Sequence, residues 1–179
     1  MAGRDEVRSL HLDLDDRDRR VSDTYELRIA RHPSEDEAFF VARVLAWTLL
    51  HEHGIELSAG VCVGDEPAIG IRRPDGALRT WIEIGRPAPE RLKRAALQAE
   101  EVVVVLHRRA SELALPRGTS ERIAGRVRCL WLDPGLVDAL AARVERRMAW
   151  KVRREAGVLR VESAGTVHEG TLRESRLTP

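Results

Sequence analysis

Lysine is nearly missing from this chain: of thirty basic residues only Lys93 and Lys151 are lysine, and the rest are arginine. Arginine is a planar fork with a fixed charge, whereas lysine is a compact point charge, so Lys93 is a candidate for a role that a fork cannot fill. A surplus of either charge is also missing. Thirty basic residues face twenty-nine acidic ones, which leaves no overall cationic field and excludes obligate non-specific coating of nucleic acid, though not a local patch. The apolar runs reach about half of the ~20 residues that a membrane-crossing helix requires. The opening Met-Ala-Gly-Arg-Asp-Glu lacks the apolar run of a signal peptide. The expectation is a cytoplasmic protein with no membrane partner.

Paired cysteines are absent as well. Cys62 and Cys129 stand far apart among alternating apolar residues, without the close spacing of a zinc ribbon or a redox pair, and read as small buried hydrophobes. His51 and His53 flank Glu52, but residues two apart on a helix point in different directions, so the trio makes a poor metal clamp. With no repeat and no low-complexity linker, 179 residues suit one domain, residues 1–179.

Val7 to Asp15 and Tyr25 to Ala30 alternate as an opening hairpin. Ser34 reads as the N-cap of a helix whose first turn carries Glu35, Asp36 and Glu37 and whose apolar positions Phe40, Val44, Trp47 and Leu50 recur at helical spacing up to Gly54. Leu57 to Val63 with Ala68 to Ile71, and then Leu78 to Ile84, read as strands joined through a turn at Pro74-Asp75-Gly76. A helix beginning near Pro89 or Glu90 buries Leu92, Ala95, Ala96 and Ala99, leading to a central strand at Val102 to Leu106 and so to a parallel crossover. Val127 to Leu132 is a further strand, Asp133 caps a helix at Pro134 to Val144, and Arg147 to Arg154 with Val158 to Glu162 form a hairpin. Residues 163–179 read as a polar, loose tail with at most a weak edge strand near Val167.

Two acidic clusters at strand ends carry the chemistry, Asp65-Glu66-Pro67 and Trp81-Ile82-Glu83-Ile84-Gly85. The Pro74-Asp75 pair imitates a nuclease motif, but at ~3.3 Å per residue Asp75 would lie roughly 26 Å from Glu83, too far to share an ion. A hairpin closed by Pro74 to Gly76 pairs Arg73 with Ala77 and Pro67 with Glu83, which puts Asp65 on the face of Glu83 at a diagonal of about 7 to 8 Å, close enough to share one Mg²⁺. A two-residue loop would reverse that parity, and a bulge at Gly64 or Pro67 would also alter it. Glu66 falls on the opposite side. Lys93 lies one turn into the following helix on one flank of its alanine face, while Arg91, Arg94 and Gln98 occupy the other.

These residues, with Ala30-Arg31-His32-Pro33-Ser34-Glu35, Leu45-Ala46-Trp47 and Arg91-x-Lys93 followed by Gln98, resemble the YaeQ family of small bacterial proteins in both order and spacing. The resemblance runs from the first strand to about Leu172. It implies an α/β fold, a mixed central sheet flanked by helices, as a variation on PD-(D/E)xK nucleases with an acidic site for Mg²⁺ or Mn²⁺. By position it implies Asp65 and Glu83 as metal carboxylates and Lys93 as a displaced catalytic lysine, since Gly85 stands where the strand motif would hold one. It adds Glu35 as a further acid and Gln98 as a helical glutamine. Arg31 and His32 belong to its strongest motif.

Two functions follow as expectations. One is a Mg²⁺-dependent phosphodiesterase acting on DNA or RNA, in which Lys93 orients a water or the phosphate and Arg72, Arg73, Arg79, Arg86 and Arg91 hold the backbone. The other is a catalytically inactive module that binds nucleic acid or a protein partner through the basic run of Arg143, Arg146, Arg147, Lys151, Arg153 and Arg154. The sequence leaves the oligomeric state open.

Overall fold

The computed structural model describes residues 6–58, 66–108, 113 and 116–176. Strand makes up 47% and helix 23% of them. The strands are β1 (Glu6–Asp16), β2 (Val21–Arg31), β3 (Ile55–Leu57), β4 (Ile69–Arg72), β5 (Leu78–Ile84), β6 (Glu101–Leu106), β7 (Val127–Leu132), β8 (Arg147–Glu155), β9 (Val158–Ser163) and β10 (Thr166–Arg176). The helices are α1 (Glu37–Leu50), α2 (Pro89–Gln98), α3 (Glu121–Ala124) and α4 (Pro134–Ala141). All ten strands join one sheet in the order β2-β1-β8-β9-β10-β7-β6-β5-β4-β3. It curls into a nearly closed, barrel-like form.

This corrects the expected central sheet flanked by helices. The physical reason lies in α1, which had been expected to lay one apolar stripe on a sheet. Phe40 through Leu49 are buried without a break, so the helix is enclosed on every side rather than along one face. Its neighbours come from both halves of the sheet: Leu10, Leu12 and Leu14 of β1, Ile82 and Ile84 of β5, Val103 and Val105 of β6, and Trp150 and Val152 of β8 share its cluster. Leu136, Val137 and Leu140 of α4 join them there. Only α2 and α3 lie on the outer face, where Leu92, Ala95, Ala96 and Ala99 pack with Trp81, Val102, Val104, Val127 and Cys129. Cys129 is buried, with its thiol pushed up by desolvation, while Cys62 lies outside the described residues.

Two further expectations change. Asp36, not Ser34, caps α1, its Oδ1 accepting from the Phe39 N–H at 2.7 Å. Ser34 falls instead in a turn closed by the Glu35 N–H on His32 O at 2.9 Å. The tail expected to be loose forms β10, which pairs first with β9 through Thr166–Thr171 and then with β7 through Leu172–Arg176. It thereby joins the two halves of the sheet. Its polar character is that of a strand whose outer side chains meet water, with Gly170 and Leu172 buried on the inner side.

Gly170 is where α4 touches that seam. A Cβ there would lie 2.6 Å from Asp133 Cβ and 2.8 Å from Leu136 Cβ, so the helix start approaches the strand backbone directly. Gly170→Ala should therefore destabilise the fold by ~1–3 kcal/mol through overpacking. Urea unfolding monitored by tryptophan fluorescence checks this, and an unchanged midpoint would mean that α4 sits further from β10.

Candidate functional site at the ends of the parallel strands

Strands β5, β6 and β7 run parallel, so their C-terminal ends lie together. The pairings around the sheet bring the starts of β1, β4, β8 and β10 and the end of β2 to the same rim. Parallel strand ends are where open α/β sheets commonly place ligands, because the loops leave there. The rim holds Arg31-His32, Glu66, Gly85, His107 and Asp133. Asp65 and the rest of residues 59–65 lie outside the described residues.

Strand alternation decides what Glu83 faces. Ile82 and Ile84 point inward to α1, whereas Trp81 and Glu83 point outward to α2. Glu83 is only 7% exposed. Its Oε1 accepts from Trp81 Nε1 at 2.6 Å and from Arg91 Nε at 2.7 Å. The Arg91 guanidinium also lies over the Trp81 ring, 5.5 Å from its centroid, and donates through Nη2 to the Glu66 carbonyl at 2.9 Å. One arginine in the first turn of α2 thus ties the end of β5 to the residue that follows Asp65.

The remaining predicted residues are distributed unevenly around this point. Lys93 is half-buried on α2, but residues two apart on a helix project roughly 200° apart, so the flank that meets Glu83 carries Arg91 and not Lys93. Gln98 is exposed and lies about 10 Å further along the helix axis than Arg91, away from the rim. Glu35 reaches the rim from the inner side, where Arg43 Nε lies 2.9 Å from its Oε1 and Arg43 Nη2 donates to its Oε2 at 3.1 Å. Both side chains are shut off from water. Glu35 and Glu83 stand on opposite faces of the sheet, so Glu35 does not join Glu83 around one ion.

The hairpin behaves as expected at its turn and differently beyond it. Asp75 is exposed and accepts from the Ala77 N–H at 3.0 Å, and the Arg73 N–H donates to Ala77 O at 2.9 Å. A bulge then follows, since Arg72 pairs with Leu78 but Ile71 pairs with Thr80. The ladder shifts by one residue at Arg79, so the step beyond Ile69↔Ile82 sets Ala68, not Pro67, across from Glu83. Residues 66–68 have left the strand. What brings this segment to Glu83 is Arg91 rather than strand parity.

The arginines expected to hold phosphates are largely matched to acids. Arg72 lies 3.4 Å from Glu56, while Arg73 and Arg79 form ion pairs with Glu100 and Glu52. In the second basic run Lys151 lies 3.6 Å from Glu162, Arg153 pairs with Asp15 at 3.0 Å, and Arg154 is shared among Asp16, Asp18 and Glu174. Such pairing cancels most of the local field that would attract a polyanion.

His107 is a rim residue that the sequence reading passed over. It follows β6, is 5% exposed, packs edge-on to Phe39 at 6.2 Å, and has a buried Nδ1 without a hydrogen-bond partner among the described residues. Desolvation, helped by Arg108, holds its pKa below the ordinary value, with Asp36 and Asp138 pulling the other way. The only sequence signal was its place directly after an apolar central strand.

Residues 1–171 match the profile of a family described as YaeQ protein. The chain belongs to the YaeQ family. It is 30% identical over 135 residues to an uncharacterised protein YaeQ of Escherichia coli (strain K12), covering 74% of this chain and 75% of that protein. A YaeQ protein of Salmonella typhi is 28% identical over 140 residues, 77% of each chain. Crystal structures of YaeQ proteins superpose closely: that from Xanthomonas axonopodis pv. citri with a TM-score of 0.83 at 24% identity over 98% of this chain and all of its own, and that from Pseudomonas syringae with 0.82 at 25% identity over 95% of each. Among the described residues no group of three or more histidine, cysteine or acidic side chains forms a metal cluster, and no helix is long and apolar enough to cross a membrane.

Two outcomes are expected of this YaeQ chain. Glu35→Gln leaves Arg43 buried without its counter-charge and should cost ~3 kcal/mol of stability, read from denaturant midpoints, whereas a loss below ~0.5 kcal/mol would contradict a buried ion pair. For His107 the folded pKa is depressed, so its contribution is full above the unfolded value of about 6.5 and is lost as pH falls below it towards the folded value. His107→Gln should flatten the fall in melting temperature between pH 7 and pH 5. Part of the slope should persist through His51, whose pKa burial also lowers. An equally steep fall in the variant would remove His107 from the account.

Proposed function

We propose that this protein is a divalent-cation-dependent phosphodiesterase acting on nucleic acid, with Asp65 and Glu83 as the carboxylates that hold one Mg²⁺ or Mn²⁺. The observation that carries this reading is the Arg91 bridge. A single guanidinium spans the Glu83 carboxylate and the Glu66 carbonyl, so the residue next to Asp65 lies within the reach of one cation from Glu83. The donors offered are all oxygens, which suits a hard cation, and the Trp81 Nε1 and Arg91 Nε hydrogen bonds converge on one Glu83 oxygen, Oε1. When bound, such an ion lowers the pKa of a coordinated water and offsets charge on the phosphate.

The chain's own groups supply the rest. Trp81 fixes the Glu83 rotamer through its indole N–H. Arg91 balances the acid in the free protein and, released from it, is placed to donate two parallel hydrogen bonds to a phosphate oxygen pair. Lys93, on the far flank of α2, and the exposed Arg86 are assigned to the substrate backbone rather than to the carboxylates. Glu35 and Gln98 take no part at this point.

A second reading, a non-catalytic module binding nucleic acid or protein, is favoured by one observation: Glu83 and Glu35 already have arginines as counter-ions, so neither acid needs a metal for charge balance.

Calorimetric titration with Mn²⁺ and digestion of labelled single- and double-stranded DNA and RNA separate the two. The phosphodiesterase reading expects Mn²⁺ affinity to drop more than ~10-fold, about 1.4 kcal/mol, in both Asp65→Asn and Glu83→Gln, with cleavage lost in each. Parental affinity in Glu83→Gln overturns the site. Metal binding by the parent protein without hydrolysis of any of the four substrates selects the second reading.

A further inference from the structure

Strand β2, eleven residues long, ends the sheet, and among the described residues no strand pairs with its outer edge. Among the described residues its only ladder is with β1, and that register runs unbroken from Val21 to Arg31. At ~3.4 Å per residue this edge is roughly 37 Å long, and of its outward backbone groups the Thr24 N–H is bonded to Asp23 Oδ1 at 2.8 Å and the Ala30 carbonyl to Arg43 Nη2 at 2.6 Å. The opposite margin, β3, has three residues. Natural sheets usually protect a long edge with proline, a bulge, lysines or a covering segment. Val-Ser-Asp-Thr-Tyr-Glu-Leu-Arg-Ile-Ala-Arg has no proline, glycine or lysine and no bulge. Its charges instead follow a pattern.

In an antiparallel pair formed by two copies of β2 about a two-fold axis normal to the sheet, residues equidistant from the axis face each other on the same side. An axis at Leu27 sets Glu26 opposite Arg28 twice and Asp23 opposite Arg31 twice. Moving the axis one residue either way sets Glu26 on Glu26 or Arg28 on Arg28, and like charges directly opposite are destabilising. Glu26 and Arg28 are both exposed and point outward, so they are available for this pairing; Glu26 also meets His11 of β1. Arg31 already lies 3.5 Å from Glu37, which makes its cross-strand pair the lesser one. On the inner side Leu27 meets its own copy and Tyr25 meets Ile29, so the half-buried Leu27 and Tyr25 become further covered, Ile29 being buried already.

We propose that β2 docks a second copy of this chain, antiparallel and centred on Leu27, to give a two-fold dimer with one continuous sheet. The interface is isologous, as closed dimers require. It is independent of the metal site, since β2 and Glu83 belong to different parts of the sheet.

Sedimentation equilibrium on the whole protein tests the register. The parent should weigh about twice 20.1 kDa at micromolar concentration. Glu26→Arg alone and Arg28→Glu alone each bring like charges together and should be monomeric. Mixed in equal amounts, one chain presents two positive charges at positions 26 and 28 and the other two negative charges, so the mixture should dimerise again. The double exchange Glu26→Arg with Arg28→Glu should self-associate like the parent. Amide hydrogen exchange on the parent offers a readout without substitutions: protection of Asp23 to Arg31 should rise with protein concentration. A monomeric parent, single variants that dimerise like the parent, a mixture that stays monomeric, or exchange independent of concentration would each overturn the proposal.

Discussion

A helix apolar on every side cannot rest on a flat sheet, and α1 is such a helix. Ten successive residues, Phe40 to Leu49, are withdrawn from water, and the sheet meets this by curling around them until β1 and β8 on one side and β5 and β6 on the other share a single cluster. The cost falls on Arg43, the one charged residue in that run. Its charge is met by Glu35 and its Nη2 also donates to the Ala30 carbonyl at 2.6 Å, so the turn before α1 is drawn inward. Asp36 becomes the first residue able to cap the helix.

The curl also creates the rim. Because β5, β6 and β7 are parallel and β10 joins them to the other half, one end of the barrel collects strand ends, loop starts and the first turns of α1, α2 and α4. Acids reach this rim from both faces, and each is met by an arginine: Glu35 by Arg43 inside, Glu83 by Arg91 outside. Their settings differ. The inner pair is sealed, and its burial pushes the Glu35 carboxyl up against the pull of Arg43. The outer pair is anchored by an indole and reaches the Glu66 backbone carbonyl, the arrangement on which the proposed cation site rests.

Much of this was legible where local chemistry speaks for itself. Pro74-Asp75-Gly76 is the turn it resembles, Asp133 caps α4 through its contacts with the Gly135 and Leu136 N–H groups, and the alanine face of α2 predicts both its seat and the parallel crossover. The helical wheel already separated Lys93 from Arg91. What it lacked was the sheet's handedness, which decides the flank that meets Glu83. The bulge at Arg79 leaves no mark in a stretch that alternates well on either side of it. The polar tail misleads because β10 is stabilised by two ladders and by α4 pressed on Gly170, contacts made at long range. A run such as Phe40 to Leu49 reads equally as a stripe or as an enclosed helix until the sheet around it is known, and the expected layered fold failed on that point.

The most direct measurement of the central claim is a crystal of the protein grown or soaked with Mn²⁺, with anomalous differences recorded at the manganese edge. The account predicts one strong peak between the Glu83 and Asp65 carboxylates, with the Arg91 guanidinium moved off Glu83. No peak at the end of β5, with Arg91 still bonded to Glu83 at saturating Mn²⁺, would contradict it.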